Sequence, residues 1–348
     1  MSIFFHLFLF LVSAGCIWFF SGILVDSVNR VAQRFHQSGF TVAFFVLGFL
    51  TSISEISVMV NSTIDRVPQV SAGNLVGASF FILFFIIPFL AVIGNGVDLK
   101  NTVNDGRLGA SLLFVVLPIL FLLNGSVTRI EGGLCIMAYI VLLYFIQSRR
   151  KETVPEVLEE ISEEFVEELT EDLTINASKK IHLKVYYFFH KHRFTVFDAF
   201  KILLGAAFIF VAGHFMVEEV VYFSELLSVP SSIIGILVLA SGTNIPEFVV
   251  AVQSIRRRHK EIAFGDYLGS AIANTCIFAV LVLLNGTFLV ESKEFLHSAF
   301  LMGGGAIVFY IFAQSQNRIS RKEGIILLLI NALFLIVQLR NFFTFVGE

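Results

Sequence analysis

Gly48-Phe-Leu-Thr-Ser-Ile-Ser-Glu55 and Ala240-Ser-Gly-Thr-Asn-Ile-Pro-Glu247 each place a carboxylate inside an apolar run, behind a cluster of hydroxyl or amide side chains. One offset relates them. Adding 192 carries Thr51 to Thr243, Glu55 to Glu247, Ser62 to Ser254, Gly73 to Gly265 and Gly77 to Gly269, and it carries Val25 to Val217 and Asp26 to Glu218 without a gap. A Glu, a Thr and two Gly in register are not a chance pairing. The chain therefore contains two copies of one unit.

The setting of these copies is a lipid bilayer. The 348 residues are 56% apolar and only 15% charged, with 41 Phe and a mean hydropathy of +0.85. Soluble domains carry about 25% charged residues. A bilayer core needs ~20 apolar residues per helix, and on that rule spans fall at 3–25, 39–61, 70–93, 108–124, 130–147, 196–219, 232–254, 265–285, 295–313 and 324–346. The runs are continuously apolar rather than alternating, which excludes a β-barrel. The expected fold is an all-α polytopic membrane protein of ten transmembrane helices. Residues 1–147 form a first five-helix repeat, 148–195 an acidic cytosolic loop and 196–348 a second five-helix repeat. The N-terminus lacks a basic n-region and reads as a span, not a cleaved signal peptide.

Basic residues orient the spans. With the N-terminus outside, 20 of the 24 Lys and Arg fall in inner connections, and only Arg66, Arg129, Lys293 and Arg340 lie outside. The positive-inside rule then predicts both termini outside, with the plasma (cell inner) membrane as the expected location. Five spans separate the two copies, an odd number, so they are inverted relative to each other. Inverted repeats mark secondary transporters, with the site near the bilayer midplane where the copies meet.

The chemistry of the repeated segments fits a cation. An unpaired carboxylate at the bilayer centre costs at least ~3 kcal/mol, so it must be protonated, paired or cation-bound. Pro246 removes an N–H that would bond the Gly242 carbonyl, and a freed carbonyl beside a Glu and a Thr is a hard-oxygen site. Thr51, Ser52, Thr243 and Asn244 stand three or four residues before each Glu and share its helical face. Ser270 and Asn274 are four apart and add oxygens from the following helix; their mates at the 192 offset, Ala78 and Ile82, have none to add.

Ser-Gly-Thr-Asn-Ile-Pro-Glu247 and Gly-Asp-Tyr-Leu-Gly-Ser-Ala-Ile-Ala-Asn274 resemble the second signature repeat of the cation/calcium exchanger superfamily, the sodium/calcium exchangers in particular. Thr-Ser-Ile-Ser-Glu55 and Gly-Asn-Leu-Val-Gly77 resemble a degenerate first repeat. The resemblance implies that Glu55 and Glu247 coordinate Ca2+, with Thr51, Ser52, Thr243, Asn244, Ser270 and Asn274 completing overlapping cation sites. The chain departs from the family at Ser54, where Pro is usual, at Leu50, where Gly is usual, and at Ala78 and Ile82, where Ser and Asn are usual. A helix break is thus expected more firmly before Glu247 than before Glu55. At Asn274 the potassium-dependent branch carries Asp, which argues against potassium co-transport.

The expected function is antiport of Ca2+ against Na+, with Ca2+/H+ exchange on the same fold as the alternative and a non-transporting cation-binding protein behind both. Two ionised glutamates balance one Ca2+, which takes six to eight oxygens at about 2.3–2.6 Å. Ca2+ and Na+ (or H+) compete for the same oxygens. No cofactor is expected beyond the transported ions, and the other expected partner is the lipid. An enzyme is not expected, because no HExxH or GxGD-like motif or Ser/His dyad lies in the spans. A net charge of −3 gives no support for nucleic-acid binding. Cys16, Cys135 and Cys276 stand alone in apolar runs, which indicates neither a disulfide framework nor a zinc site. Residues 152–172 hold ten acids and no base, with Val157, Ile161, Phe165 and Leu169 at helical spacing, and read as an anionic amphipathic helix. His214 and Glu218 share a face of the sixth span and read as packing or a gate.

Overall fold

A computed structural model describes residues 3–32, 52–99, 106–148, 177–244, 247–248, 251–252, 255, 260–315 and 317–346 of the chain, and these are mostly helical. In chain order the helices are α1 (Ile3–Ala32), α2 (Ile53–Ile64), α3 (Pro68–Ile93), α4 (Arg107–Leu122), α5 (Arg129–Ser148), α6 (Ala177–Leu227), α7 (Ser231–Thr243), α8 (Lys260–Asn285), α9 (Ser292–Ser315) and α10 (Arg321–Val346). Among the described residues, six helical stretches are long and apolar enough to cross a membrane: Ile3–Phe20, Pro68–Ile93, Leu203–Leu227, Tyr267–Asn285, Phe295–Ser315 and Arg321–Thr344. Large apolar side chains such as Phe4, Trp18, Leu113, Ile140, Phe300 and Ile336 face outward, as side chains solvated by lipid do. The protein is an integral, multi-pass membrane protein.

One helix departs from the expected bounds, and two other expected elements fall partly or wholly outside the described residues. Helix α6 starts at Ala177, inside the stretch read as loop, and runs for 51 residues. The second span, expected over 39–61, is described only from Ser52 onward, and α2 begins at Ile53. The acidic stretch 152–172 lies outside the described residues.

The 192-residue offset extends well beyond the sequence motifs. Thr128 and Glu131 cap the start of α5: the Thr128 backbone N–H donates to Glu131 Oε2 at 2.7 Å, and its hydroxyl donates at 3.0 Å. Ser320 and Glu323 repeat this at α10, where the Ser320 N–H donates to Glu323 Oε2 at 2.7 Å. The cap satisfies N–H groups that the first helical turn leaves without partners. The turns that precede these caps also correspond, with Gly125 at φ 75° and Asn317 at φ 51°.

Four short strands tie the halves together. β1 (Val97–Asp98) pairs antiparallel with β4 (Arg318–Ile319), and β2 (Ser126–Val127) with β3 (Phe288–Leu289). Strand β4 is the 192-offset mate of β2, and β3 follows β1 by 191 residues. Exchanging the halves therefore turns one strand pair into the other. Each pair joins two connections that the charge count puts on the same side of the bilayer.

The core is divided. One apolar cluster runs through α3, α4, α8, α9 and α10, with Phe80, Phe84, Phe264, Phe278 and Phe309 fully buried. A smaller one joins α1 and α6 to α2 and α7 through Ile17, Val58, Ile209, Met216 and Ile233. A polar latch holds α1 to α6: His6 Nδ1 lies 2.9 Å from Glu219 Oε2, and the His6 ring stacks on Tyr222 at 3.6 Å.

Candidate functional site

Helices α3 and α7 cross at backbone contact, and small residues make the crossing possible. A Cβ added to Gly73 would overlap the Ser232 carbonyl, and one added to Gly77 would lie 2.8 Å from both Ala240 Cβ and the Ile236 carbonyl oxygen. Gly235 is equally tight against the Val70 carbonyl oxygen at 2.7 Å. Each helix also carries one wide π-turn, at Ile82–Ile86 and Gly235–Leu239, a local irregularity often found beside functional sites.

Just past this crossing, α7 stops. Thr243 is its last residue, and Asn244 follows with φ −91°, ψ 9°. The Phe248 N–H donates to the Asn244 carbonyl at 3.1 Å, restarting helical bonding around Glu247. Ser52, the 192-offset mate of Asn244, has φ −79°, ψ 15°, and the Ile56 N–H donates to its carbonyl at 2.9 Å. The two copies share this backbone feature although the first has Ser54 in place of proline. Ser52 supplies a physical reason. A short hydroxyl residue favours a helix boundary, and its side chain makes a tertiary contact rather than a cap bond to α2. Glu55 consequently lies in the first turn of α2, where the helix dipole favours negative charge. Ile245 and Pro246, like Thr51, lie outside the described residues.

The described members of the expected site are all buried: Ser52, Glu55, Thr243, Asn244, Glu247, Ser270 and Asn274 are each at most 1% exposed. Several meet across the two halves. Ser52 Oγ and Ser270 Oγ are 3.1 Å apart. The Thr243 hydroxyl donates to Asn74 Oδ1 at 3.3 Å and also lies beside the Glu55 carboxylate. Glu55 Oε2 accepts from Ser54 Oγ at 2.9 Å, and the Glu247 carbonyl accepts from Tyr267 Oη at 3.1 Å.

The polar atoms of this cluster outnumber the hydrogen bonds it makes. Glu55 Oε1, Asn74 Nδ2, Asn244 Oδ1, both side-chain polar atoms of Asn274 and Thr275 Oγ1 are buried and have no hydrogen-bond partner among the described residues. Buried polar groups are ordinarily paired, because each one left over costs about 1–3 kcal/mol. Most of these atoms are oxygens, the donor type that hard cations take. Among the described residues no three His, Cys, Asp or Glu side chains are grouped to hold a metal ion. The donors this cluster presents are carboxylate and neutral oxygens.

Three residues of this region escape the sequence reading. Asn74 is fully buried, yet beside Gly73 it reads as helix packing; its offset mate is Asp266, and that pair of polar residues was the available signal. Thr275 adjoins Asn274, and Tyr267, although inside the quoted segment Gly265–Asn274, is not read there as a partner of the Glu247 carbonyl. His214, by contrast, links α6 to the end of α2, with Nε2 3.4 Å from Glu218 Oε1 and Nδ1 3.8 Å from Asp65 Oδ2, on a partly exposed surface.

The Thr243 contact yields a direct test. Thr243→Val keeps the side-chain shape but leaves Asn74 Oδ1 without its donor, and it is expected to lower stability by about 1 kcal/mol. Thermal unfolding of the purified protein with and without Ca2+ measures this, with the larger loss expected when Ca2+ is present.

The sodium/calcium exchanger protein family matches the chain twice, over residues 5–147 and again over 198–340. The two matches start 193 residues apart, one in each copy of the repeat. The sodium/calcium exchanger MaX1 of Methanosarcina acetivorans is 27% identical over 344 residues, covering 91% of this chain and 93% of that protein. The putative antiporter CaxA of Alkalimonas amylolytica is 21% identical over 312 residues, covering 88% and 89% respectively. Among solved structures, the sodium-calcium exchanger NCX_Mj superposes with a TM-score of 0.62 at 19% identity, over 96% of this chain and 99% of that one, and so shares its fold. With the family's pattern in both halves, the chain belongs to the sodium/calcium exchanger protein family, a family of membrane transporters rather than enzymes.

Proposed function

We propose that this chain is a secondary antiporter that exchanges Ca2+ for a monovalent cation at one midplane site built around Glu55 and Glu247. The observation that carries the reading is the meeting of Thr243, from the second motif, with the Glu55 carboxylate and Asn74 of the first half, in a buried cluster with more oxygens than donors. Family membership supports cation exchange as the activity.

On this reading the chain is two inverted five-helix repeats, 1–147 and 196–348, joined by the loop 148–195, with both termini outside. The paired caps, the exchanged strand pairs and the double family match support it. Glu55 and Glu247 bring two negative charges, enough for one Ca2+, while Ser52, Thr51, Thr243, Asn244, Ser270 and Asn274 supply neutral oxygens. Two uncompensated carboxylates at the midplane are too costly to carry across. The empty carrier therefore stays locked until cations arrive, which enforces exchange. Na+ is the driving ion in this reading. Protons are the alternative, favoured by Ala78 and Ile82, which withhold oxygens on α3.

The experiment is 45Ca2+ uptake into proteoliposomes with an imposed Na+ or H+ gradient. Uptake is expected to follow one gradient in the wild type and to fall to background in Glu247→Gln. Wild-type uptake surviving in that variant refutes the site.

A further inference from the structure

The contact between Ser52 and Ser270, with their hydroxyls 3.1 Å apart, has a counterpart in the other half that lacks chemistry. The 192-residue offset converts it to Asn244 and Ala78. Ala78 is fully buried and offers a methyl group, and Asn244 Oδ1 is buried without a hydrogen-bond partner among the described residues. One turn further, Asn274 corresponds to Ile82, which is also fully buried and belongs to the large apolar core. Oxygens therefore line the site where α8 meets α2, while on α3, clamped on α7 through Gly77, positions 78 and 82 present only apolar side chains.

A monovalent cation leaving water needs several oxygens in place of its hydration shell. Two such ions are served by the two carboxylates. A third has no acid of its own, the oxygens that positions 78 and 82 would add on α3 are absent, and Asn74 Oδ1 on the same helix already accepts from Thr243. We infer that Ala78 and Ile82 set the coupling ratio by deleting one monovalent subsite, so that two monovalent cations move against each Ca2+ and exchange carries no net charge. This rests on the exchange reading above and fixes its stoichiometry, whichever of Na+ or H+ is the driver.

The test is steady-state Ca2+ accumulation in proteoliposomes whose membrane potential is clamped with K+ and valinomycin, with Na+ and H+ gradients in separate arms. For the wild type, a tenfold monovalent gradient is expected to sustain an about 100-fold Ca2+ gradient, and a potential of about 100 mV leaves it unchanged. The double substitution Ala78→Ser with Ile82→Asn is expected to restore the subsite for Na+ but not for H+. In its Na+ arm the same gradient sustains an about 1,000-fold Ca2+ ratio, which shifts about 50-fold per 100 mV. The wild-type measurement decides on its own should the double variant fail to fold. Wild-type accumulation that follows the cube of the Na+ gradient and shifts with voltage overturns the inference while leaving exchange intact. Absence of gradient-driven Ca2+ flux in both arms overturns the exchange reading and this inference with it.

Discussion

Glu55→Gln is expected to abolish Ca2+ transport and, in ion-free buffer at neutral pH, to make the folded protein more stable. The two effects have one cause. Glu55 is 1% exposed, and its ionised form gives up water for one short bond from Ser54 and the neighbouring Thr243 hydroxyl. Replacing a buried, unpaired charge with a neutral group of the same shape removes the desolvation penalty of the ionised form, which is several kcal/mol per ion. Ca2+, however, loses half of the charge that balances it. Removing one partner of a buried charge pair costs about 2–5 kcal/mol, or about 30- to several-thousand-fold in affinity. Thermal unfolding separates these contributions. Wild-type protein with Ca2+ at about 100 times its dissociation constant gains about 2.7 kcal/mol over the ion-free form, and Glu55→Gln at the same Ca2+ concentration is expected to gain at most about 0.9 kcal/mol. A purely structural glutamate predicts the reverse pattern: an unstable ion-free variant that still responds to Ca2+. That pattern would sink the assignment.

The spans and the repeat were legible in the sequence wherever apolarity and spacing carry the information. The expected span 70–93 is found as Pro68–Ile93, and 324–346 lies within Arg321–Val346, because lipid sets helix length and a proline or a capping box marks the starts. Tertiary choices were not legible. Nothing in the alternation of residues 126–127 or 288–289 distinguishes a two-residue strand from a loop, since pairing depends on which connections meet at one membrane face. The absence of proline at position 54 argued against a break in the first copy, yet Ser52 and Asn244 share nearly the same backbone angles. The hydroxyl contact to Ser270, 218 residues away, is a partner that no local rule supplies. Asn74 was hidden for a similar reason: beside a packing glycine, an amide reads as filler until Thr243 is seen donating to it.

Gly73→Ala is expected to lower stability by about 3 kcal/mol or more and to reduce transport by about 10- to 100-fold, although the added methyl touches neither glutamate. The new Cβ would overlap the Ser232 carbonyl oxygen and lie 2.9 Å from its carbon and 3.0 Å from Cα. Those are backbone atoms, so no rotamer change relieves the clash, and α3 and α7 must separate. Overpacking commonly costs about 1–3 kcal/mol even where side chains can yield. Helix α7 ends at Thr243, so the displacement carries that hydroxyl away from Glu55, and shifts of about 1 Å at a site cost about 100-fold in rate. Gly303 in α9 provides the control. An added Cβ there meets nothing within 4 Å, and in a helix interior alanine is favoured over glycine by about 0.5–1 kcal/mol. Gly303→Ala is therefore expected to raise the melting temperature slightly and leave Ca2+ uptake unchanged, the opposite sign from the same substitution at position 73. Melting curves and uptake rates for the two variants, measured in parallel, decide the matter. If both behave alike, the crossing of α3 and α7 is looser than described, and it no longer accounts for how the two halves are held at the proposed cation site.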